Sequence, residues 1–273
     1  MIGRPNAGKS SFLNALLWEK VSIISPRPQT TQRTILGIQN DETSQIVFLD
    51  TPWFHEWTTL LNTAINQQAL RSLRDADVVL VFLDPTRPHG KEDDTIAEIL
   101  EKVKKPILRV ETKSDIPSGF PHANIDVRIS SVSHDGFDVL LSQIREHLPE
   151  SERLFEEDFY TVQERELRIS EIVREKLFHH LREEIPYACY IDVTNIEETD
   201  GLLKAIVYIN TESESQKSIV IGKGGAVLQA IGTDARTSLE GIFGKKIHLA
   251  LRVKVEKNWR KNPEILERIF PKQ

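Results

Sequence analysis

Gly3-Arg4-Pro5-Asn6-Ala7-Gly8-Lys9-Ser10 fits the spacing G-x-x-x-x-G-K-[ST], which lets backbone N–H groups curl around a diphosphate. In such a loop Lys9 reaches the β- and γ-phosphates and the Ser10 hydroxyl holds Mg²⁺. A helix starting near Lys9 adds its positive dipole end. Gly-rich turns are common, but here the G-K-S triplet runs into a helical pattern at Phe12, Leu13, Leu16 and Leu17. That combination marks a nucleotide loop.

Three further groups fall in the order such a loop needs. Asp50-Thr51-Pro52-Trp53 ends the apolar run Ile46–Leu49, where a carboxylate can hold Mg²⁺ through water, opposite Ser10. Thr112-Lys113-Ser114-Asp115 ends the run Ile107–Val110. An aspartate there can accept both the N1–H and the N2 amine of guanine, a donor pair that adenine lacks, so the pattern favours GTP over ATP. Ser130-Ser131 follows the next run, where a backbone N–H can meet guanine O6. Gln29-Thr30-Thr31 lies between the loop and Asp50, and a threonine from such a segment can complete the Mg²⁺ shell and sense the γ-phosphate. Each piece alone is a polar turn after a strand; their order and spacing together argue for one site.

The elements that must position these residues read as α/β. Candidate strands at 35–38, 46–49, 78–83, 107–110 and 127–129 alternate with helical patterns near 59–74, 92–104 and 137–148, which indicates a mostly parallel sheet. Ligands in such sheets sit at the carboxyl ends of the strands, where the motifs fall. Only Met1 and Ile2 precede Gly3, so the first strand is nearly absent, and the expectation is a clipped or mis-started chain. Near residue 150 the pattern changes. The expected division is a nucleotide domain over 1–149, an acidic linker over 150–160 and a second domain over 161–273. The latter begins with a long helix over 161–185, then strands at 188–195 and 203–210, helices flanking 222–225 and covering 226–240, a strand at 246–255 and a short helix after Pro263.

Composition sets limits. The 273 residues suffice for two domains with real cores, and no apolar run approaches the ~20 residues of a membrane span. The single cysteine, Cys189, lies in an apolar run and fits a reducing compartment. Net charge is −6, yet residues 200–273 carry 13 Lys/Arg against 8 Asp/Glu, leaving the remainder at −11. The C-terminal part is therefore the anion-binding candidate.

Within that part, Gly222-Lys223-Gly224-Gly225 follows Ile219-Val220-Ile221. A G-x-x-G turn between two helices brings bare backbone close to a nucleic-acid backbone and clamps about four nucleotides of single strand. Ile219, Ile221, Leu228 and Ile231 are expected to line an apolar floor for bases, with Lys223 and Arg236 on phosphates. Lys254, Lys257, Arg260 and Lys261 surround Trp259, either as a further RNA track or as a solvated end with Trp259 in the core. The pair His179-His180 has no second ligand cluster and is read as an exposed helical pair.

With these motifs in order (G-R-P-N-A-G-K-S, P-Q-T-T-Q-R, D-T-P and V-I-G-K-G-G) the chain resembles the Era family of GTPases from Ile2 to about Phe270. The resemblance implies a P-loop GTPase domain followed by an α+β type II KH domain, and a role in assembling the small (30S) ribosomal subunit. It implies a phosphate loop from Gly3 to Ser11, Thr31 as switch threonine beside Thr30, and Asp50 as the Mg²⁺-associated carboxylate, with Thr51, Pro52 and Trp53 after it. Thr112, Lys113 and Asp115 would read the base, with Ser130 and Ser131 behind it. Asn6 matches an asparagine that can coordinate K⁺ beside the phosphates, so Lys9, Thr31 and Asn6 are the expected catalytic residues. The implied RNA is the 3′ end of small-subunit ribosomal RNA. A cytoplasmic monomer, with membrane association at most peripheral and at the inner membrane, completes the picture.

The chain departs from the family pattern at three positions. Trp53 replaces the glycine of D-x-x-G, keeping an N–H but not the freedom. Thr112 replaces asparagine and Ser131 replaces alanine. Phe54, like its family counterparts, offers no glutamine to orient water, which implies slow turnover. His55 and Trp57 are read with the segment after Asp50. One rival reading is an RNA-binding assembly factor whose nucleotide domain no longer hydrolyses GTP; another is an interaction protein with neither ligand.

Overall fold

A computed structural model describes the chain except residues 26, 29, 55–57 and 272–273, so Gln29, His55 and Trp57 lie outside the described residues. Two compact units emerge, Met1–Val162 and Gln163–Gln273.

The first unit runs β1 (Ile2–Gly3), α1 (Lys9–Leu17), β2 (Ile35–Asn40), β3 (Gln45–Asp50), α2 (Leu60–Asp75), β4 (Val79–Leu83), α3 (Lys91–Leu100), β5 (Ile107–Glu111), β6 (Val127–Arg128) and α4 (Phe137–Arg145). Strands β1-β4-β5-β6 form an all-parallel sheet in that order. Val79 to Phe82 are all buried, as a strand covered on both faces requires. Strands β2 and β3 form a separate antiparallel hairpin with Ile35 opposite Asp50, rather than members of the parallel ladder. The Met1 nitrogen still reaches the Leu49 carbonyl at 2.8 Å, which sets β3 beside β1. The two-residue β1 aims the loop because Phe12, fully buried, packs on Phe48, Phe82 and Phe137 at 5.0–5.6 Å between ring centroids.

The stretch read as a linker does not hang free. Gln45 Oε1 accepts the Leu154 and Phe155 N–H groups (2.8 and 3.0 Å), Ile38 N–H donates to the Tyr160 carbonyl, and Thr161 Oγ1 donates to the Leu36 carbonyl. These polar groups of the hairpin bind the segment backbone to the first unit, a partnership that acidic composition alone could not reveal.

The second unit runs α5 (Arg165–His180), β7 (Tyr190–Glu198), β8 (Leu202–Thr211), α6 (Glu214–Ile221), α7 (Ala226–Phe243), β9 (Lys246–Val255) and α8 (Pro263–Ile269). Its sheet order is β7-β8-β9, antiparallel then parallel. Helix α5 is shorter than the sequence pattern suggests: it starts at Arg165 and ends at His180, where the backbone turns extended at Leu181 (φ −100°, ψ 161°), and Pro186 opens a separate short turn. Leu203, Ala205, Val207 and Ile209 of β8 are buried, and each larger aliphatic contributes about 1.5–3 kcal/mol. Trp259 is core, fully buried with Nε1–H donating to the Ala188 carbonyl at 3.0 Å. Cys189 is buried too, and burial pushes its thiol up to about 12. Among the described residues no helix is long and apolar enough to cross a membrane.

Candidate functional site

In the first unit, Gly8 (φ 94°) turns the loop so that α1 begins at Lys9, and Asn6 also holds a positive φ of 62°. The N-terminus of α1 opens on a cavity of about 400 Å³ lined by Pro5 to Ser11, Thr30, Thr31, Thr51 and Trp53 among others. Lys9 is buried, and its Nζ donates to the Gly3 and Arg4 carbonyls at 3.0 and 3.3 Å. Burial pushes its ammonium below the usual lysine range while Asp50 pulls the other way. An anion in the cavity would relieve that cost. The Arg4 guanidinium is committed elsewhere: it bonds Asp93 and the Pro88 carbonyl, both at 2.8 Å, and pairs with Glu92 at 3.3 Å. Only its backbone remains for a phosphate.

Asp50, fully buried at the end of β3, gathers the hydroxyls. Its Oδ2 accepts from Ser10 Oγ at 2.6 Å and Ser22 Oγ at 2.9 Å, and Thr31 Oγ1 lies 3.5 Å from Ser10 Oγ. Asp50 Oδ1 is buried with no hydrogen-bond partner among the described residues. A carboxylate and two hydroxyls beside a phosphate cavity are the hard oxygen set that suits Mg²⁺, and the orphaned oxygen has room for a metal-bound water. Thr30 is not in this cluster; its Oγ1 donates to the Arg27 carbonyl. Thr51 Oγ1 donates to the Met1 carbonyl at 2.7 Å, and Pro52 is buried. Trp53 sinks into a core of Ile2, Phe54, Ala69, Val79, Val81 and Ile96, which pins the segment after Asp50.

The residues expected to read the base also come together. Thr112 Oγ1 lies 2.9 Å from the Ala7 carbonyl and 3.1 Å from that of Leu83, tying the phosphate loop to β4. Lys113 (φ 58°) pairs with the buried Asp84 at 2.6 Å. Burial raises the Asp84 pKa, but hydrogen bonds from Lys113 and Thr86 outweigh it and hold the carboxyl below its usual range. Asp115 is exposed, and its Oδ1 accepts from Ser130 Oγ at 2.6 Å. That Ser130 oxygen also accepts the Val132 and Ser133 N–H groups, which fixes the turn containing Ser131.

In the second unit, Gly222, Gly224 and Gly225 all have positive φ (74°, 61° and 82°). A Cβ on Gly222 would meet Val227 at 2.5 Å, whereas Gly224 and Gly225 face open space. Bare backbone is therefore offered to a ligand, with Lys223 and Arg236 exposed and Ile221 and Leu228 half-buried. Ile231 is a correction: it is fully buried with Ala235 and Leu239 on the core stripe of α7, one face round from the expected floor. His180 pairs with Asp234 at 2.7 Å.

The profile described as 50S ribosome-binding GTPase matches residues 1–113, and that of the KH domain matches 176–260. GTPase Era of Treponema denticola is 39% identical, over 98% of this chain and 97% of its own length. The chain belongs to the Era family of GTPases. Among solved structures, a variant of Aquifex aeolicus Era bound to GDP·AlF₄⁻ is 36% identical with a TM-score of 0.90, over 98% of this chain and 96% of that one. Era in complex with MgGDPNP and nucleotides 1506–1542 of 16S ribosomal RNA is likewise 36% identical, with a TM-score of 0.89 and the same coverage.

Within an Era-family site, the departures acquire physical content. Thr112 supplies from a hydroxyl the bridge to the phosphate loop that an asparagine amide could make. Trp53 trades a flexible glycine for a core anchor. Ser22 and Asn14 were invisible in the motif spacing. Asn14 Oδ1 accepts the Val21 and Ser22 N–H groups (2.9 and 2.8 Å) and its Nδ2 donates to the Ser22 carbonyl (2.7 Å), so Asn14 holds Ser22 against Asp50. No local pattern announces that pair, because the loop from Trp18 onward sets their approach.

Proposed function

We propose that this Era-family GTPase converts GTP to GDP and phosphate slowly and clamps single-stranded RNA, the 3′ end of small-subunit ribosomal RNA, during 30S assembly. The observation that carries the reading is the cluster of Ser10, Ser22 and Thr31 on a buried, half-satisfied Asp50 beside Lys9 and the N-terminus of α1. In it, Gly3 to Ser11 wrap the phosphates with backbone N–H groups. Lys9 moves from the loop carbonyls to the β- and γ-phosphate oxygens and neutralises charge that grows there. Ser10, Thr31 and, through water, Asp50 would hold Mg²⁺, which offsets charge between the phosphates. Asp115, oriented by Ser130, accepts from guanine N1 and N2, Lys113 covers the base, and the Ser131 backbone meets O6. Asn6 would hold K⁺, supplying the charge that an arginine finger brings elsewhere. Phe54, the residue after Trp53, offers no glutamine to orient the attacking water, which would keep turnover slow.

In the second unit Gly222 to Gly225 approach the RNA backbone, Ile221 and Leu228 contact bases, and Lys223 and Arg236 meet phosphates. We further assign it a monomeric, cytoplasmic role with any contact to the inner membrane peripheral. An assembly factor with a silent nucleotide domain is not favoured, since the likeness to GTPase Era extends over nearly the whole chain. Single-turnover GTP hydrolysis in Mg²⁺ with K⁺ or Na⁺, and RNA binding by anisotropy, test the reading. Turnover faster in K⁺ and lost in Asp50→Ala is expected; no turnover in either salt would overturn the enzymatic part.

A further inference from the structure

Helices α5, α6 and α7 pack on the sheet of the second unit, while Trp259 and α8 reach its other face at the start of β7, where Trp259 packs on Tyr190 at 4.9 Å between ring centroids and Arg268 pairs with Asp192. Leu203, Ala205, Val207 and Ile209 of β8 are buried, so the even positions turn the other way; of these Lys204 is exposed, Tyr208 half-buried and Asn210 buried. The register carries that face across the sheet: Lys204 stands opposite His248, Tyr208 opposite Arg252, and Asn210 opposite Lys254. On the edge strand β9 the open side reads Lys246, His248, Ala250, Arg252, Lys254, and all but Ala250 are exposed. The row spans about 26 Å at ~3.3 Å per residue.

Several basic side chains of this unit have carboxylate partners: Lys245 pairs with Glu198, Arg260 with Glu212 and Arg268 with Asp192. Among the described residues Lys204, Lys246, Arg252 and Lys254 have no carboxylate within ion-pair distance. Two of them rest on an aromatic ring instead. Lys254 Nζ sits 3.6 Å from the Tyr208 ring centroid, and Arg252 donates to the Tyr208 hydroxyl at 3.2 Å. Of the face's own carboxylates, Asp192 is taken by Arg268 at 3.3 Å, and Glu197 lies at the far strand opposite Lys204.

We propose that this open face is a second RNA surface, which takes the phosphate backbone of nucleotides beyond those held at the G-x-x-G turn. The proposal rests on the RNA-binding reading of that turn. Charge complementarity favours a polyanion. Continuity favours the same strand: α6 and α7, which flank the turn, pack on β9, so a chain longer than the turn can hold reaches the open face by crossing that edge strand. A membrane is disfavoured because the face carries no exposed large apolar side chain; Ile219, on α6, is the one such residue described in this unit.

The test uses the full chain, the triple variant Lys246→Ala/Arg252→Ala/Lys254→Ala, and Gly224→Asp. Each is titrated by anisotropy across a salt series with single-stranded RNAs of about six and about 14 nucleotides. Circular dichroism checks that each variant is folded. The triple variant should bind the short RNA as the parent does, bind the long RNA more weakly, and lower the long RNA's log–log salt slope by about 2, roughly 0.7 per lost phosphate contact. Gly224→Asp should weaken both RNAs. If the triple variant matches the parent on both RNAs, the proposal is wrong. If it loses binding to phosphatidylglycerol vesicles but not to the long RNA, the face belongs to a membrane and the proposal is equally wrong. If Gly224→Asp changes nothing while the triple variant loses slope, the turn reading fails and the face stands. A parent that binds neither RNA overturns both.

Discussion

The phosphate loop and the G-x-x-G turn are both glycine-rich and both use left-handed backbone, yet they are built on opposite plans. The loop looks inward: Lys9 and Asp50 are buried, Asp50 has an oxygen to spare, and the hydroxyls of Ser10 and Ser22 are aimed at it. The turn looks outward: Gly224 and Gly225 have nothing within 4 Å of where a side chain would stand. A small, highly charged ligand is held by groups whose burial is costly until it arrives. A polymer needs a backbone it can slide against. The first plan couples the site to stability, whereas the second leaves the fold nearly indifferent to it.

The largest break in that comparison should come from Trp53. Trp53→Ala removes a core side chain and should cost about 3–5 kcal/mol in denaturant unfolding of the first unit. Gly224→Ala should cost only about 1–2 kcal/mol for its positive φ. Equal effects would erase the distinction between the sites. Next, Lys9→Ala should weaken GDP binding by roughly 10- to 100-fold, the value of a charged hydrogen bond of about 1.5–3 kcal/mol, and leave RNA affinity of the nucleotide-free chain unchanged. Ser22→Ala should raise the Mg²⁺ concentration needed for nucleotide binding about tenfold without changing Mg²⁺-free affinity; a change in both would make Ser22 merely structural.

The smallest effect is a pH dependence in the β2–β3 turn. Desolvation raises the Asp41 pKa, but hydrogen bonds from Thr43, Ser44 and Arg145 outweigh it and hold the carboxyl well below its usual range. Its folded value is depressed, so its stabilisation is fully present above the ordinary carboxylate pKa and is lost as pH falls through the folded value. Asp41→Asn should therefore destabilise the first unit at pH 7 by about 1 kcal/mol, and progressively less below pH ~4. A constant difference across that window would mean that the charge is not what matters.

Much of this was readable from the chain. Strand and helix positions follow from apolar runs, so β4 over 79–83, β5 over 107–111 and β9 over 246–255 lie within a residue or so of their sequence patterns. The order G-K-S, D-T-P, T-K-S-D, S-S could be read because motif spacing is set by strand ends. Other features depend on partners far away in sequence. Ile231 went to the core because a helix's phase against its sheet is a tertiary matter. Ser22 reached Asp50 through a loop held by Asn14. The 150–162 segment lies on the first unit because Asn40 and Gln45 bind its backbone. Periodicity carries no record of such pairings.

The most direct test of the guanine-nucleotide site is a titration of the chain with fluorescent GDP and ADP in Mg²⁺, repeated with Asp115→Asn. The account predicts GDP bound at least about a hundredfold more tightly than ADP, with that preference largely lost in Asp115→Asn, since two charge-assisted hydrogen bonds to guanine disappear. Equal affinity for GDP and ADP, or a preference untouched by Asp115→Asn, would contradict it.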